Sequence, residues 1–140
     1  MKAFLDTSSL VKLYHQETGS ETILKTLSNI KSIVLSEIAI LEFRSAFWKK
    51  IRQKELQEEA AVKVIACFEN DYDKFQWIII DSNVIHSSVG LLMHYGSKGL
   101  RTLDSLQLAC ALTLKTDDCI FLSSDVLLLE FFKNERLKTA

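Results

Sequence analysis

The chain has 140 residues, of which 48% are hydrophobic and 25% are charged, and its formal net charge at pH 7 is −1. This length suits one domain with its own core, and the composition excludes a disordered or fibrous protein. The near-neutral charge excludes a strongly basic nucleic-acid binder, so a polyanionic partner has to be met by a local basic patch or by metal ions.

The first half of the chain alternates short apolar runs with longer helical patterns. In order, these predict a strand at 2–5, helices near 8–16 and 20–29, a strand at 32–35, and helices at about 37–54 and 56–72. The helix at 37–54 is predicted from Ile40, Phe43 and Phe47, which recur at the three- to four-residue spacing of one helix face.

The second half repeats the alternation. It predicts a buried strand at 77–80, a helix from the cap cluster Asp81-Ser82-Asn83 to about 95, a helix at 102–115, a strand at 119–122 and a helix at 125–134. Residues 137–140 could supply a short edge strand. Continuous apolar strands separated by helices indicate an α/β fold with a parallel sheet that is covered on both faces.

The chain shows no sign of a linker, a targeting segment or a membrane span. It has no proline and only four glycines, so we expect a single domain over residues 1–140. The start of the chain is predicted to be a strand, not a signal peptide, and no apolar run approaches a membrane-spanning length. Cys67, Cys110 and Cys119 lack zinc-site spacing, and we interpret them as small core residues of a cytoplasmic protein.

Four acidic residues lie in apolar surroundings: Asp6, Glu42, Asp104 and Asp125. An unpaired buried carboxylate is costly, and a hard divalent cation can compensate several carboxylates at once. Asp6 and Asp125 directly follow predicted strands, where ligand sites of parallel sheets gather. Glu42 and Asp104 lie on helix faces that should meet the protein, so the four acids are candidates for one metal site.

Each acid also has a simpler interpretation. Asp6, Asp104 and Asp125 could be helix N-caps, as we expect for Asp81. Glu42 lies inside a helix, so its alternative is an ion pair with a neighbour such as Arg44.

A basic cluster ends the helix predicted at 37–54. It consists of Lys49, Lys50, Arg52 and Lys54. We interpret it as a solvated helix end, where cations also suit the helix dipole, and a path for RNA is the alternative.

Four motifs occur in order along the chain: L-D-T-S-S-L-V-K-L-Y at 5–14, S-E-I-A-I-L-E-F-R-S-A at 36–46, L-R-T-L-D-S-L-Q-L-A-C-A at 100–111, and F-L-S-S-D at 121–125. Together they resemble the PIN domain family, and most closely its VapC-like ribonuclease toxins of bacterial toxin–antitoxin pairs. One departure is Gln107, which stands where many relatives have histidine and which we expect to leave the acids untouched. A second is the short C-terminal end, which leaves little or no final edge strand.

The resemblance implies a three-layer α/β/α sandwich that cleaves RNA with Mg²⁺ or Mn²⁺. It implies that the metal-binding and catalytic acids are Asp6, Glu42, Asp104 and Asp125, with Ser8 as a supporting polar residue. Thr7, Ser8 and Ser124 would orient ligands or donate hydrogen bonds to phosphate at helix N-termini. The implied partners are an RNA substrate, a cognate antitoxin protein and a second copy of the chain in a homodimer.

Other functions fit parts of the pattern. A phosphorylation-controlled receiver domain is also an α/β fold with acids and Mg²⁺, and Asp81 would be its phosphoacceptor candidate. It requires paired acids after the first strand, where only Asp6 stands. A non-catalytic binding module with the same fold is a further alternative, as is RNA maturation in place of toxicity.

Overall fold

Four strands and seven helices alternate along the chain in a computed structural model that describes residues 1–140. The strands are β1 (Lys2–Leu5), β2 (Ser32–Ser36), β3 (Gln76–Ile78) and β4 (Cys119–Leu122). The helices are α1 (Thr7–Tyr14), α2 (Ser20–Leu27), α3 (Ala39–Arg52), α4 (Glu58–Asn70), α5 (Ser82–Tyr95), α6 (Thr102–Leu112) and α7 (Val126–Asn134). Single 3₁₀ turns lie at Tyr72–Lys74 and Gly96–Lys98.

All four strands are parallel, in the order β3-β2-β1-β4. The predicted parallel sheet is therefore confirmed. Receiver domains follow a different order, in which the first strand lies between the second and the third. Here β1 lies between β2 and β4, so the receiver-domain alternative is wrong.

The sheet is buried on both faces because its residues alternate between two cores. One face carries Phe4, Val34 and Phe121, and the other carries Leu5, Leu35 and Leu122. Apolar side chains of α5, α6 and α7 pack on the first face, and those of α1, α3 and α4 pack on the second. The period of two along each strand thus produces the predicted three-layer α/β/α sandwich.

Aromatic side chains fix α3 against its neighbours. Phe43 is fully buried, and its ring centroid lies 4.3 Å from that of Phe68 on α4 and 4.8 Å from that of Phe47. Tyr14 at the end of α1 contacts Phe43 edge-on at 5.6 Å. This packing matters for the site because α3 also carries Glu42.

The predicted strand at 77–80 is wrong in both extent and burial. The strand β3 ends at Ile78, and Ile79 is 65% exposed. The Glu37 side chain accepts the backbone N–H of Ile80 at 2.7 Å, and the Asp81 N–H donates to the Ile79 carbonyl at 3.1 Å. These bonds turn the chain away from β2, so this edge strand is shorter than its apolar run.

Most other elements match the predictions within two or three residues. The helix predicted from 37 begins at Ala39, because the Glu37 N–H donates to the Ile78 carbonyl and residues 37–38 form a turn. The tail contributes one parallel bridge, between Thr139 and Phe121.

The cysteine prediction is right for Cys110 and Cys119, which are buried, and wrong for Cys67. Cys67 is exposed because its neighbour Phe68 turns toward the core, and successive helix residues point about 100° apart. Asp81 caps α5 as predicted and accepts the Val84 N–H at 2.9 Å. None of the helices is long and apolar enough to span a membrane.

Candidate functional site

The predicted acids gather where the direction of strand connection reverses. The chain passes from β1 outward to β2 and β3, and then returns to place β4 on the other side of β1. Ligands of open parallel sheets bind at the carboxyl ends of the strands beside such a reversal. Asp6 directly follows β1, and its N–H donates to the carbonyl of Leu122, the last residue of β4.

Asp6 is almost fully enclosed by hydrogen-bond donors, with 3% of its surface exposed. Its carboxylate accepts the Ser9 N–H at 3.0 Å and the Ser123 hydroxyl at 2.6 Å, and the Ser8 hydroxyl lies 2.8 Å from both oxygens. Burial raises the pKa of Asp6, and these hydrogen bonds offset part of that effect. Asp6 is also the N-cap of α1, which confirms its capping interpretation. Capping of α1 does not exclude Asp6 from a metal site.

Glu42 lies on the first turn of α3, and one of its two oxygens is fixed. Its Oε1 accepts the Thr7 hydroxyl at 2.9 Å and the Gln107 Nε2 at 2.7 Å, whereas its Oε2 accepts no hydrogen bond from the protein. Burial raises the pKa of Glu42, the two donors lower it, and the charges of Asp6 and Asp104 raise it further. The proposed ion pair with Arg44 is wrong, because Arg44 bonds elsewhere.

Asp104 lies in the first turn of α6, three residues after the residue that caps the helix. The N-cap is Arg101, so the capping interpretation of Asp104 is wrong. Arg101 is the nearest cation, with its Nε 3.7 Å from the Asp104 carboxylate. Burial raises the pKa of Asp104, the charge of Asp125 adds to the rise, and Arg101 opposes it.

Asp125 caps α7 by accepting the Leu128 N–H at 3.0 Å, which confirms its capping interpretation. Ser123 connects it with Asp6, because the Ser123 hydroxyl accepts the Asp125 N–H at 3.0 Å while it donates to Asp6. Ser124 donates its N–H to the Ser8 hydroxyl at 2.9 Å. The motif at the end of β4 is thereby held against the motif at the end of β1.

Two residues of this network were not predicted. Ser123 was passed over in favour of Ser124, although it is the other polar residue of the same motif. Gln107 was noted only as a departure from the family that leaves the acidic quartet complete, yet its Nε2 donates to Glu42 and also lies 3.1 Å from the Thr7 hydroxyl. Its place three residues after Asp104 in an apolar helix run is the signal that could have identified it.

The chemistry of this donor set fits a hard divalent cation. Asp6, Glu42 and Asp104 have raised pKa values. The charges of Asp6 and Asp104 repel that of Glu42, the charge of Asp125 repels that of Asp104, and Arg101 is the only cation that forms an ion pair with any of the four acids. Carboxylate oxygens are the ligands that Mg²⁺ and Mn²⁺ prefer. In this arrangement no three acidic, histidine or cysteine side chains are close enough together to share one ion.

Comparisons with known proteins give one family match and several solved structures with a similar fold. A family model described as "PIN domain" matches residues 3–129. The fold is similar to that of VapBC2 from Rickettsia felis bound to a promoter DNA fragment, with a TM-score of 0.66, 15% identity and coverage of 100% of this chain and 98% of the other. It is also similar to VapC20 of Mycobacterium tuberculosis, described as a toxin that cleaves the sarcin–ricin loop, with a TM-score of 0.67, 15% identity, and coverage of 92% and 94%.

A third similar structure is VapBC-1 of nontypeable Haemophilus influenzae, with a TM-score of 0.63, 17% identity, and coverage of 100% and 97%. A comparison with curated protein sequences gives no significant match. At these identities the solved structures establish the fold, while the family model extends over nearly the whole chain. The chain belongs to the PIN domain family.

Proposed function

We propose that this chain is a divalent-metal-dependent endoribonuclease, formed by residues 1–140 as a single PIN domain. The observation that carries the proposal is the group of carboxylates with raised pKa values at the reversal point of the sheet, where ligands bind in this class of fold. Membership of the PIN family and the RNA-cleaving activity in the description of the Mycobacterium tuberculosis toxin support RNA as the substrate.

The four acids have different parts in this proposal. Asp6, Glu42 and Asp104 would hold the principal Mg²⁺ or Mn²⁺, directly or through water, and Asp125 would complete a second or substrate-dependent site. A metal ion held there would neutralise phosphate charge and lower the pKa of a bound water toward 7. The proposed hydrolysis is in line at phosphorus and leaves a 5′-phosphate and a 3′-hydroxyl.

The other residues of the network prepare these acids for that task. Thr7 and Gln107 donate to Glu42 Oε1 and leave Oε2 without a hydrogen bond from the protein, so Oε2 would be free to bind a metal ion. Ser8 and Ser123 hold Asp6 in one orientation. The N-termini of α1 and α7 lie at the same edge of the sheet, where their dipoles favour a phosphate, and Ser124 can donate to it.

The biological setting belongs to the same proposal. Similar structures include complexes named as VapBC and FitAB, which supports a cognate antitoxin as the protein partner. We also expect the chain to form a homodimer in the cytoplasm. Within this family a non-catalytic binding module would have no need of the complete acidic quartet. A role in RNA maturation would use the same chemistry on a different target.

The direct test is cleavage of structured RNA. We expect purified protein to cut RNAs such as tRNA in Mg²⁺ or Mn²⁺ and to leave them intact in EDTA, because phosphodiester hydrolysis here depends on the metal. Mapping of fragment ends should find 5′-phosphates. Cutting that persists in EDTA would contradict the mechanism. If the protein neither cuts any RNA nor binds one in a metal-dependent way, the non-catalytic binding module would be favoured.

Gln107 provides a second test. Replacing Gln107 with leucine should weaken Mn²⁺ affinity by about 10- to 100-fold, because loss of an orienting partner has effects of that size. The folded state should tolerate the change, since it also removes Gln107 Oε1, which is buried without a hydrogen-bond partner. Titration calorimetry with Mn²⁺ measures the affinity, and Leu108→Met is a control in the same helix. Unchanged Mn²⁺ affinity would show that Gln107 only fills space.

A further inference from the structure

Arg101 is the only cation that pairs with the acidic site, and the pairing is loose. Its Nε lies 3.7 Å from the Asp104 carboxylate, which is beyond hydrogen-bond distance, and its side chain is 82% exposed. The predicted basic cluster is farther away, because Lys49 lies two helical turns beyond Glu42 along α3. An exposed ion pair of this kind contributes little to stability, so the contact with Asp104 does not explain an arginine at this position.

Arg101 is also an unfavourable residue for its place in the fold. It is the N-cap of α6, and its side chain makes no capping hydrogen bond. Residues favoured as N-caps have a side-chain oxygen that accepts a backbone N–H, whereas a guanidinium has only donors. The positive end of the helix dipole further disfavours a cation there. A residue that opposes local stability without a compensating contact is expected mainly at functional sites.

The backbone of Arg101 is fixed while its guanidinium is free. The preceding residue, Leu100, is buried, and the Arg101 carbonyl accepts the Ser105 N–H at 2.8 Å as the first bond of α6. Asp104 follows three residues later on the same side of the helix. The guanidinium itself forms no hydrogen bond with the protein, so all of its donors remain available at the mouth of the acidic site.

We propose that Arg101 is a further catalytic residue, which pairs with Asp104 in the metal-free protein and binds the scissile phosphate once Asp104 holds a metal ion. The inference rests on the proposed ribonuclease function and adds to it a residue that exchanges one partner for another. It assigns Arg101 a role that its contacts within the protein do not account for.

The charges around Asp104 favour this exchange. The attraction between Arg101 and Asp104 is offset when a divalent cation shares the carboxylate, because the guanidinium and the cation have like charges. Little is lost when the guanidinium leaves, since its contact with Asp104 is long and exposed. The non-bridging oxygens of a phosphate brought to the same site match the fork of guanidinium donors and can accept two hydrogen bonds from it.

The same contact would lower the barrier to hydrolysis. In the proposed reaction the oxygen of water bonds to phosphorus while the bond from phosphorus to the 3′ oxygen breaks, and the 3′ oxygen takes up a proton. Negative charge on the phosphoryl oxygens is stabilised by donors that are aimed at them. A guanidinium that binds these oxygens more strongly in the transition state than in the ground state raises kcat.

Metal affinity without RNA tests the exchange of partners. By titration calorimetry, Arg101→Gln should bind Mn²⁺ about twofold to tenfold more tightly than the native protein, because it removes one unit charge about 4 Å from a carboxylate that holds the ion. Arg101→Lys, which keeps the charge, should bind Mn²⁺ as the native protein does. The control Lys98→Gln removes an exposed charge three residues earlier and should leave the affinity unchanged. The melting temperature of Arg101→Gln in EDTA should stay close to the native value.

Cleavage at saturating Mn²⁺ tests the catalytic role. Arg101→Gln should lower kcat by about 100-fold or more with KM nearly unchanged, which is the pattern for loss of a contact made mainly in the transition state. Arg101→Lys should fall between the two, because lysine keeps the charge and loses the fork of donors. Lys98→Gln should cleave at the native rate.

The outcomes separate this inference from the proposed function. If the native protein cleaves RNA and Arg101→Gln cleaves within about threefold of its rate, the catalytic role is wrong and the ribonuclease stands. Mn²⁺ affinity that is unchanged or weaker in Arg101→Gln would refute the exchange of partners. An equal loss of cleavage in Lys98→Gln, or a rise in KM with kcat kept, would also overturn the role of Arg101. A native protein that cuts no RNA would remove the proposed function and this inference together.

Discussion

Replacing Asp104 with asparagine should reduce RNA cleavage by more than about 100-fold while the protein stays folded. Loss of an outer-shell partner alone reduces metal affinity or activity by about 10- to 100-fold, and Asp104 is proposed to hold the metal ion itself, directly or through water. The carboxylate is desolvated and repelled by Asp125, so its neutral analogue avoids a cost of the metal-free folded state. Asp104 is not the N-cap of α6, so the change removes no capping bond.

Two measurements check this prediction together. Cleavage rates with Mg²⁺ or Mn²⁺ report the chemistry, and the melting temperature in EDTA, which should equal or exceed that of the native protein, reports the fold. Added metal should raise the melting temperature of the native protein more than that of the variant, because a ligand stabilises only the state that binds it. Asp81→Asn is the matched control, since asparagine also caps helices. Retention of more than about a tenth of the cleavage rate by Asp104→Asn would exclude a ligand role.

Replacing Phe43 with alanine should have the opposite signature, a large loss of stability of the folded state. Phe43 is fully buried between the rings of Phe47, Phe68 and Tyr14, and deletion of such a side chain costs about 3–5 kcal/mol. The free energy of unfolding of a native domain is about 5–15 kcal/mol, so the variant should keep only part of it. Urea denaturation followed by circular dichroism measures the loss.

Neighbouring positions on α3 supply the controls. Leu41→Ala removes a side chain that is 65% exposed and should change the free energy of unfolding by less than about 0.5 kcal/mol. Glu42→Gln should keep the fold and lose cleavage. A cost below about 1 kcal/mol for Phe43→Ala would show that the aromatic cluster does not anchor α3.

The sequence by itself determined the elements and the edge of the sheet at which the acids lie. Strand and helix periods are local properties of the chain, so the patterns located every strand and helix, with errors mainly at their ends. Asp6 and Asp125 follow strands, and parallel strands have their carboxyl ends at one edge, so their shared location needs no tertiary information. The predicted end of β3 was wrong because the side chain of Glu37, which is distant in sequence, accepts a hydrogen bond from the backbone N–H of Ile80.

Only the tertiary structure decided which side chains contact the acids. The bond from Gln107 to Glu42 spans 65 positions, and that from Ser123 to Asp6 spans 117. The Ser123 bond depends on the pairing of β4 with β1, and the Gln107 bond depends on the packing of α6 in the folded chain. Neither arrangement can be read from the local pattern of apolar residues. The same holds for the cations, because Lys49 and Lys50 are adjacent in sequence, yet a rotation of about 100° brings Lys50 to Glu17 and leaves Lys49 without an acidic partner.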